Sequence, residues 1–283
     1  MIPAEVRLAK QALLGAGIED AAFLAEILGC RARKCSRSQL LAESRGQVWT
    51  AGEIQSFQQE LARVVAGEPI AYLEGHVGFY GREFKVTPAV LIPRADSETL
   101  LDLCLERTGQ GEKIRVLDLG TGSGCLLLSL LAERPSWQGQ GVDCSPSALS
   151  VAEENARSLG LEDRTSFVLG NWASVVPSSQ FDLIVSNPPY VLPGETLGIG
   201  VREFEPALAL FTPEEAPMQP YERILQDAAR VLRPGGAIAF EVGAGRADAV
   251  AELCHRSEFL VEEIRADLAG IQRAVWARDV AKA

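Results

Sequence analysis

The sequence of 283 residues predicts an α/β protein in which a seven-stranded sheet follows a small N-terminal helical bundle. Three observations support this fold class. Apolar residues recur at three-and-four spacing through the first third of the chain, short apolar segments alternate with helical ones from Ile114 onward, and glycine and proline residues mark the boundary between the two patterns. The hydrophobic fraction of 47% and the charged fraction of 23% are those of an ordinary globular protein, so a sizeable core is expected.

The N-terminal bundle is predicted from four amphipathic segments punctuated by glycine. These segments are Ala4–Leu14, Ala21–Leu28, Ser38–Ala42 and Glu53–Val65. The Glu-Pro-Ile sequence at residues 68–70 ends the helical pattern, and the glycine-rich, aromatic stretch that follows favours a hairpin or an extended linker. We therefore expect a helical domain over residues 1–75, a β-hairpin linker over 76–93 and an α/β domain over 94–283.

The sheet is predicted from seven short apolar segments separated by helical ones. The strands are Arg115–Leu119, Gly139–Val142, Thr165–Leu169, Phe181–Ser186, Ala237–Glu241, Leu260–Arg265 and Arg273–Ala277. The helices are Cys125–Glu133, Ser147–Leu159, Tyr221–Leu232 and Ala247–Cys254. Helical crossovers favour parallel neighbours, whereas the short connection between the last two strands favours an antiparallel hairpin at the sheet edge.

Composition excludes several classes of protein. The formal net charge of −11 disfavours broad contact with a polyanion, and the basic cluster at residues 31–34, with Arg37, is also typical of a solvated helix end. Six cysteines without a CxxC pair and only two histidines favour neither a disulfide framework nor a metal site. No apolar stretch is long enough to span a bilayer, and Met1–Lys10 lacks the apolar core of a secretory signal, so a cytoplasmic protein is expected.

A glycine-rich turn follows the first predicted strand and opens a helix. Its sequence, Asp-Leu-Gly-Thr-Gly-Ser-Gly at 118–124, has G-x-G-x-G spacing, which differs from the G-x-G-x-x-G fingerprint of dinucleotide-binding proteins. The alternative is a tight turn that needs glycine only for positive φ. We predict that the turn binds a cofactor through Gly120, Thr121, Gly122, Ser123 and Gly124.

Two further residues are predicted at the carboxyl ends of neighbouring strands, where open α/β sheets bind ligands. Asp143 ends the second strand and can accept hydrogen bonds from a ribose diol; it could instead cap the next helix, although Ser145 with Pro146 is better placed for that. Asn171 and Trp172 follow the third strand and suit an adenine edge and face, although an isolated tryptophan more often serves packing.

The Asn-Pro-Pro-Tyr sequence at 187–190 directly follows the fourth strand, Phe181–Ser186. A planar amide or aromatic amine has its nitrogen lone pair delocalised, so methyl transfer to it requires acceptors that hold both N–H groups. The Asn187 side-chain oxygen and the Pro188 carbonyl can accept them, Pro189 helps to make the loop rigid, and Tyr190 can stack on the planar group. The alternative is a rigid turn without a catalytic role.

Together these two motifs resemble class I methyltransferases that act on planar exocyclic nitrogens. Further segments resemble the HemK/PrmC family in their order and position, so that the resemblance covers nearly the whole chain. They are the segments at 68–75, 79–81, 90–94, 204–210 and 267–270.

The HemK/PrmC resemblance implies a Rossmann-like class I methyltransferase domain that uses S-adenosylmethionine. It implies that the N-terminal domain docks a peptide chain release factor and that the C-terminal domain methylates N5 of the glutamine in its Gly-Gly-Gln motif. It further implies that Gly120–Gly124, Asp143, Trp172 and Asn187 bind the cofactor and that Asn187–Tyr190 bind the substrate glutamine. Neither a membrane nor direct nucleic-acid binding is expected.

Two other functions share the same motifs. One is methylation of the exocyclic amine of adenine or guanine in DNA or RNA, which should require a basic binding stripe. The other is a cofactor-binding module without activity. Relative to the HemK/PrmC pattern the chain departs at three places, Phe211–Pro217, Ile271–Gln272 and Pro93–Glu98, of which the first two can alter fine specificity.

Overall fold

A computed structural model describes residues 3–42 and 48–280, and the chain divides into two compact units. The first unit takes in the chain up to Glu74 together with Leu197–Phe204. The second takes in Gly75–Thr196 and the chain from Glu205 onward. Each unit buries a hydrophobic core of its own.

Helices and strands are numbered here in chain order. The helices α1 to α12 are Ala4–Gly15, Ala21–Arg33, Arg37–Ala42, Ala51–Val65, Ile70–Glu74, Glu98–Arg107, Cys125–Glu133, Pro146–Ser158, Val201–Phe204, Ala207–Leu210, Gln219–Val231 and Ala247–Arg256. The strands β1 to β9 are His76–Phe79, Arg82–Lys85, Arg115–Leu119, Gln138–Asp143, Thr165–Leu169, Phe181–Ser186, Leu232–Glu241, Phe259–Ala266 and Gln272–Asp279.

The first unit is helical, and local sequence explains where its longest helix begins. The Thr50 hydroxyl accepts the Glu53 N–H at 3.3 Å and the Glu53 carboxylate accepts the Thr50 N–H at 2.6 Å, which forms a capping box at the start of α4. Phe57 on α4 lies edge-on to Trp49 with their ring centroids 5.1 Å apart. Both rings are buried, so α4 is fixed by its cap and by its apolar face.

The segment Leu197–Phe204 belongs to this helical unit although it follows the Asn-Pro-Pro-Tyr sequence in the chain. Gly200 has a φ of +77° and lies directly against the backbone of Gly67. A Cβ atom at position 200 would lie 1.7 Å from the Gly67 carbonyl oxygen. Only glycine permits this approach, because both the backbone conformation and the available space exclude a side chain.

The second unit contains a seven-stranded sheet with the strand order β5-β4-β3-β6-β7-β9-β8. Its first five strands are parallel, and β9 is antiparallel to both of its neighbours. The predicted α/β fold, with seven strands and an antiparallel end, is therefore confirmed. Strands β1 and β2 form a separate antiparallel hairpin.

The central strands are buried on both faces and alternate between two core clusters. Val116 and Leu183 pack on one side of the sheet with α6 and α7, while Leu117, Ile184 and Ile238 pack on the other with α11 and α12. This period of two is that of an extended strand, and burial on both sides explains why these segments are continuously apolar.

The main differences from prediction are an additional helix and a longer strand. Helix α6, Glu98–Arg107, lies where no element was predicted, and it buries Leu100, Leu101 and Cys104 against the sheet. Strand β7 begins at Leu232 and not at Ala237, because Leu232 pairs with Phe181 before a register shift. The pairing then skips residues 233–236, which contain the sequence Pro-Gly-Gly that interrupts a regular strand ladder.

Over the described residues, every helix is too short or too polar to cross a lipid bilayer.

We expect Gly200→Ala to destabilise the helical unit, because the new Cβ would overlap the Gly67 carbonyl. Overpacking of this kind costs about 1–3 kcal/mol, to which the left-handed backbone adds strain. Gly194→Ala is the matched control, since a Cβ there meets nothing within 4 Å. Urea unfolding midpoints measure the effect, and equal midpoints for the two variants would contradict the close packing of Gly200.

Candidate active site

The predicted site residues lie at the carboxyl ends of neighbouring parallel strands. This border of the sheet, which runs across the strand ends, is the edge referred to below. The glycine turn follows β3, Asp143 ends β4, Trp172 follows β5, and the Asn-Pro-Pro-Tyr sequence follows β6. Because these four strands are parallel neighbours in the order β5-β4-β3-β6, their carboxyl ends lie side by side. The structure thus brings together all the site residues that the sequence predicted.

The glycine turn is held open by left-handed backbone at Gly120, Gly122 and Gly124, whose φ values are +75°, +54° and +79°. The N–H groups of Gly120 and Thr121 both donate to the Val142 carbonyl, at 2.9 and 3.1 Å. A Cβ at Gly122 would meet no atom within 4 Å. The turn is therefore anchored to β4 at its start while the middle of its backbone borders open space.

The Asp143 carboxylate joins the end of β4 to the glycine turn. Its Oδ2 accepts the Gly122 N–H and its Oδ1 accepts the Ser145 N–H, each at 2.9 Å. The Ser145 hydroxyl accepts the Ala148 N–H at 3.2 Å and caps α8, as the sequence predicted. A carboxylate offers about four lone-pair sites. Asp143, which is half-buried, can therefore accept further hydrogen bonds from a ligand.

Trp172 lies beside the glycine turn as well as on the core. Trp172 has a φ of +52° and is the first residue of a short 3₁₀ helix, Trp172–Val175. The ring is half-buried and packs against the core cluster of α11 and α12. One of its ring carbons lies 3.7 Å from where a Cβ of Gly120 would be. Trp172 therefore packs on the core and also borders the glycine turn.

Asp118, at the end of β3, is a buried carboxylate under the glycine turn. Its Oδ2 accepts the Thr121 hydroxyl at 2.7 Å, while its Oδ1 has no hydrogen-bond partner among the described residues. Burial raises the pKa of Asp118 to about 7. An unpaired buried carboxylate oxygen is costly, which is typical of a site that a cationic ligand completes.

A hydrogen bond connects the Asn-Pro-Pro-Tyr sequence at 187–190, the candidate reactive sequence, to the glycine turn. The Ser186 hydroxyl, at the end of β6, donates to the Leu119 carbonyl at the end of β3 with a distance of 2.6 Å. Ser186 is fully buried. Because Asn187 follows Ser186 and Gly120 follows Leu119, this bond fixes the two loops beside each other.

The four residues of the Asn-Pro-Pro-Tyr sequence line this edge. Pro188 is buried, and Asn187, Pro189 and Tyr190 are half-buried. The Tyr190 ring lies close to Gly243, where a Cβ would come within 2.8 Å of the ring carbon Cδ2. Burial raises the pKa of Tyr190 to about 12, so the phenol is neutral at physiological pH.

Glu241 is the residue of this edge that the sequence analysis did not select. It ends β7, which neighbours β6 with Ser186 paired to Phe240, so Glu241 lies next to Asn187. Burial raises the pKa of Glu241 to about 7, although hydrogen bonds from Ser97 and Asn187 oppose the shift. The sequence signal was available, because Glu241, like Asp143, ends a parallel strand.

Two arginines connect neighbouring segments to this edge. Arg94 forms an ion pair with the buried Glu205, and Arg273 binds Asp96 at 2.8 Å and Asp267 at 2.9 Å. Both arginines act on Tyr190 by lowering its pKa, against the larger effect of burial. Three of the segments that carry the HemK/PrmC resemblance outside the two motifs therefore contribute residues to these ion pairs, namely Arg94, Glu205 and Asp267.

We expect Asp118 to make the protein less stable as the pH rises. The folded protein retains the Asp118 proton up to pH about 7, whereas an unfolded aspartate releases it near pH ~4, so the free energy of unfolding falls between these values. Asp118→Asn removes this contribution. Urea unfolding of the wild type and of Asp118→Asn from pH 4.5 to 8, about the span of the two pKa values, measures this contribution. A difference in the free energy of unfolding that does not change with pH would contradict the burial of an unpaired charge.

Comparison with known proteins agrees with the fold. A family profile described as PrmC N-terminal domain matches residues 6–75, and one described as Methyltransferase domain matches residues 110–278. A methyltransferase structure from Pyrococcus furiosus superposes with a TM-score of 0.51 at 15% identity over 78% of this chain and 98% of its own, a likeness of fold alone.

Curated relatives extend the likeness over nearly the whole chain. A release factor glutamine methyltransferase of Nitratidesulfovibrio vulgaris is 37% identical over 96% of this chain and 93% of its own. A protein of the same name from Moorella thermoacetica is 38% identical over 94% of each chain. Identity at this level over both domains confirms the resemblance to HemK/PrmC, and the chain belongs to the release factor glutamine methyltransferase family.

Proposed function

We propose that this protein transfers a methyl group from S-adenosylmethionine to N5 of the glutamine in the Gly-Gly-Gln motif of a peptide chain release factor. The observation that carries the proposal is the position of Asn187 and Pro188 directly beside the glycine turn, fixed by the Ser186–Leu119 hydrogen bond at 2.6 Å. The family of the chain supports the same reaction.

The chemistry of a side-chain amide explains why these residues suit it. The amide nitrogen is a poor nucleophile because its lone pair is delocalised into the carbonyl. The Asn187 side-chain oxygen and the Pro188 carbonyl accept the two N–H groups and aim the lone pair, while the proline rings keep the loop rigid and free of competing donors. Orientation of this kind, with acceptors that stabilise positive charge growing on the nitrogen, lowers the barrier without a conventional general base.

Tyr190 completes the substrate pocket. Its ring is held against Gly243 and its phenol is neutral, since its pKa is about 12. A neutral aromatic ring stacks on a planar amide without introducing a charge that would need its own partner. Tyr190 would therefore keep the glutamine side chain flat against the two acceptors.

The residues at this edge fit a cationic cofactor. Asp118 has an unpaired buried oxygen, and Asp143 and Glu241 are further carboxylates at neighbouring strand ends. S-adenosylmethionine carries sulfonium and ammonium charges and supplies a methyl group activated by its positive sulfur. We propose that the cofactor is held by the glycine turn and three further residues: Gly120, Thr121, Gly122, Ser123, Gly124, Asp143, Trp172 and Asn187.

A protein substrate is preferred to a nucleic acid because the three arginines of the basic cluster in the helical unit are already paired. Arg31 binds Glu60 at 2.9 Å, Arg33 binds Glu53 at 2.7 Å, and Arg37 pairs with Glu26. Arginines held by glutamates offer little net charge to a phosphate backbone. We propose that residues 1–75 dock the release factor and that the protein acts in the cytoplasm.

The proposal is tested by incubating the purified protein with S-adenosylmethionine and a release factor, followed by peptide mass mapping. A single methyl group is expected on the glutamine of the Gly-Gly-Gln motif, because its side-chain amide has the two N–H groups that Asn187 and Pro188 would accept. A release factor with this glutamine replaced by alanine is the control. Labelling that survives the replacement, or that transfers to an added RNA, would reject the proposal.

Asn187→Ala is expected to lower kcat by about thirty- to thousandfold, equivalent to about 2–4 kcal/mol, because one positioned acceptor is lost. The Kd of the cofactor should change much less. Gln180→Ala is the matched control, since this amide lies before the opposite end of β6 and its side chain binds Arg115. Steady-state rates and calorimetric titration measure the two effects, and equal losses in both would mean that Asn187 mainly holds the cofactor.

A further inference from the structure

Glu241 differs from the other carboxylates of the sheet edge in what it touches. It is only 3% exposed, the register of β6 and β7 places it next to Asn187, and hydrogen bonding with Ser97 and Asn187 lowers its pKa against the larger effect of burial. Its Oε2 is buried and has no hydrogen-bond partner among the described residues. A buried carboxylate with an unpaired oxygen costs free energy that packing does not offset, which is typical of a functional role.

The contact with Asn187 has a chemical consequence that does not depend on how the carboxamide is drawn. An ionised carboxylate can only accept hydrogen bonds, so the Asn187 group that faces Glu241 must be its NH₂. The carboxamide is planar, and its oxygen then faces away from Glu241. This oxygen is the acceptor that the proposed function assigns to the substrate nitrogen.

We propose that Glu241 is a positioning residue for methyl transfer: its carboxylate holds the NH₂ group of Asn187 so that the carboxamide oxygen faces the substrate nitrogen. This inference rests on the proposed function, in which Asn187 is a substrate acceptor. A protonated Glu241 can instead donate to the Asn187 oxygen, and the carboxamide is then free to turn round. The acceptor would be lost while every residue remained in place.

The surroundings of Glu241 favour titration near neutral pH. Arg273 on β9 favours the charged form and Asp96 disfavours it, while burial has the largest effect and raises the pKa to about 7. Tyr190 and Tyr221 face Glu241 as neutral phenols, and the Tyr221 hydroxyl donates to the Glu241 backbone carbonyl at 3.0 Å. Ser97, Asn187 and the neutral thiol of Cys125 also act on Glu241.

The test compares the wild-type protein with Glu241→Gln, which keeps the size of the side chain but can donate to the Asn187 oxygen. Rates are measured with saturating S-adenosylmethionine and release factor across the pH range around neutrality. The wild-type kcat should fall at acid pH, where Glu241 becomes protonated, with a midpoint below the pKa of about 7 in the ligand-free protein because the cationic cofactor favours the charged carboxylate. Glu241→Gln should lower kcat at alkaline pH by about ten- to hundredfold, change KM less, and abolish the fall.

A second readout needs neither cofactor nor substrate. The side-chain ¹⁵N–¹H resonances of Asn187 in the free protein should titrate with a midpoint near the pKa of Glu241 in the wild type and stay constant in Glu241→Gln. Asp182→Asn is the matched control, because this acid lies at the opposite end of β6, where it binds Arg233 and the Arg115 N–H. It should keep the wild-type kcat and the wild-type pH profile.

Three results would overturn the inference. The first is a Glu241→Gln protein with wild-type kcat. The second is a decrease of kcat at acid pH that persists in Glu241→Gln. The third is the same persistence together with loss of that decrease in Asp118→Asn, which would assign the titration to Asp118. The last comparison is needed because Asp118 also has a pKa of about 7. Failure of the proposed function is distinguishable, because the wild-type protein would then leave the glutamine unmethylated whatever the Asn187 resonances do.

Ser97→Ala keeps the inference testable if Glu241→Gln does not fold. Loss of the Ser97 hydroxyl removes a hydrogen bond to the charged carboxylate, so the pKa of Glu241 should rise. The acid fall in kcat and the midpoint of the Asn187 resonances should both move to higher pH. If both stayed at the wild-type pH, Glu241 would not control Asn187.

Discussion

The site depends on one constraint, the adjacency of β3 and β6 at the centre of the parallel sheet. Strands β4 and β5 lie on one side of β3, and β6 lies on the other side. The loops that follow β3 and β6 therefore begin next to each other at the carboxyl ends of the strands and run in opposite directions. The Ser186–Leu119 hydrogen bond closes this edge at 2.6 Å. A flexible connection here would leave the glycine turn and the reactive sequence free to move apart, and orientation could no longer lower the barrier.

Negative charge at this edge sets the electrostatics of the site. Asp118 and Glu241 are both buried, each has an oxygen without a hydrogen-bond partner among the described residues, and burial raises the pKa of each to about 7. Such groups reduce the stability of the ligand-free fold once they ionise. A cationic cofactor would reverse that effect, since it favours the charged carboxylates. If the cofactor binds beside these two side chains, as proposed, its affinity would be coupled through them to the stability of the fold.

Much of this arrangement could be predicted from sequence because the signals are local. Apolar runs marked β3, β5 and β6 to the residue, and polar residues after those strands marked most of the site. Glu241 also ends a predicted strand, but its place beside Asn187 depends on pairing between β6 and β7, which lie far apart in sequence, and the sequence analysis did not select it. The placement of Leu197–Phe204 with the helical unit was missed for a similar reason, since the contact of Gly200 with Gly67 leaves no local pattern.

The most direct test is a crystal structure of the protein with S-adenosylhomocysteine and a Gly-Gly-Gln peptide. The central claim is that two acceptors hold a flat amide nitrogen beside the glycine turn. It predicts that the side-chain nitrogen of the glutamine lies about 2.7–3.2 Å from both the Asn187 side-chain oxygen and the Pro188 carbonyl oxygen. A bound glutamine whose nitrogen lies beyond hydrogen-bond distance of these two oxygens, or on the other side of the sheet edge, would contradict it.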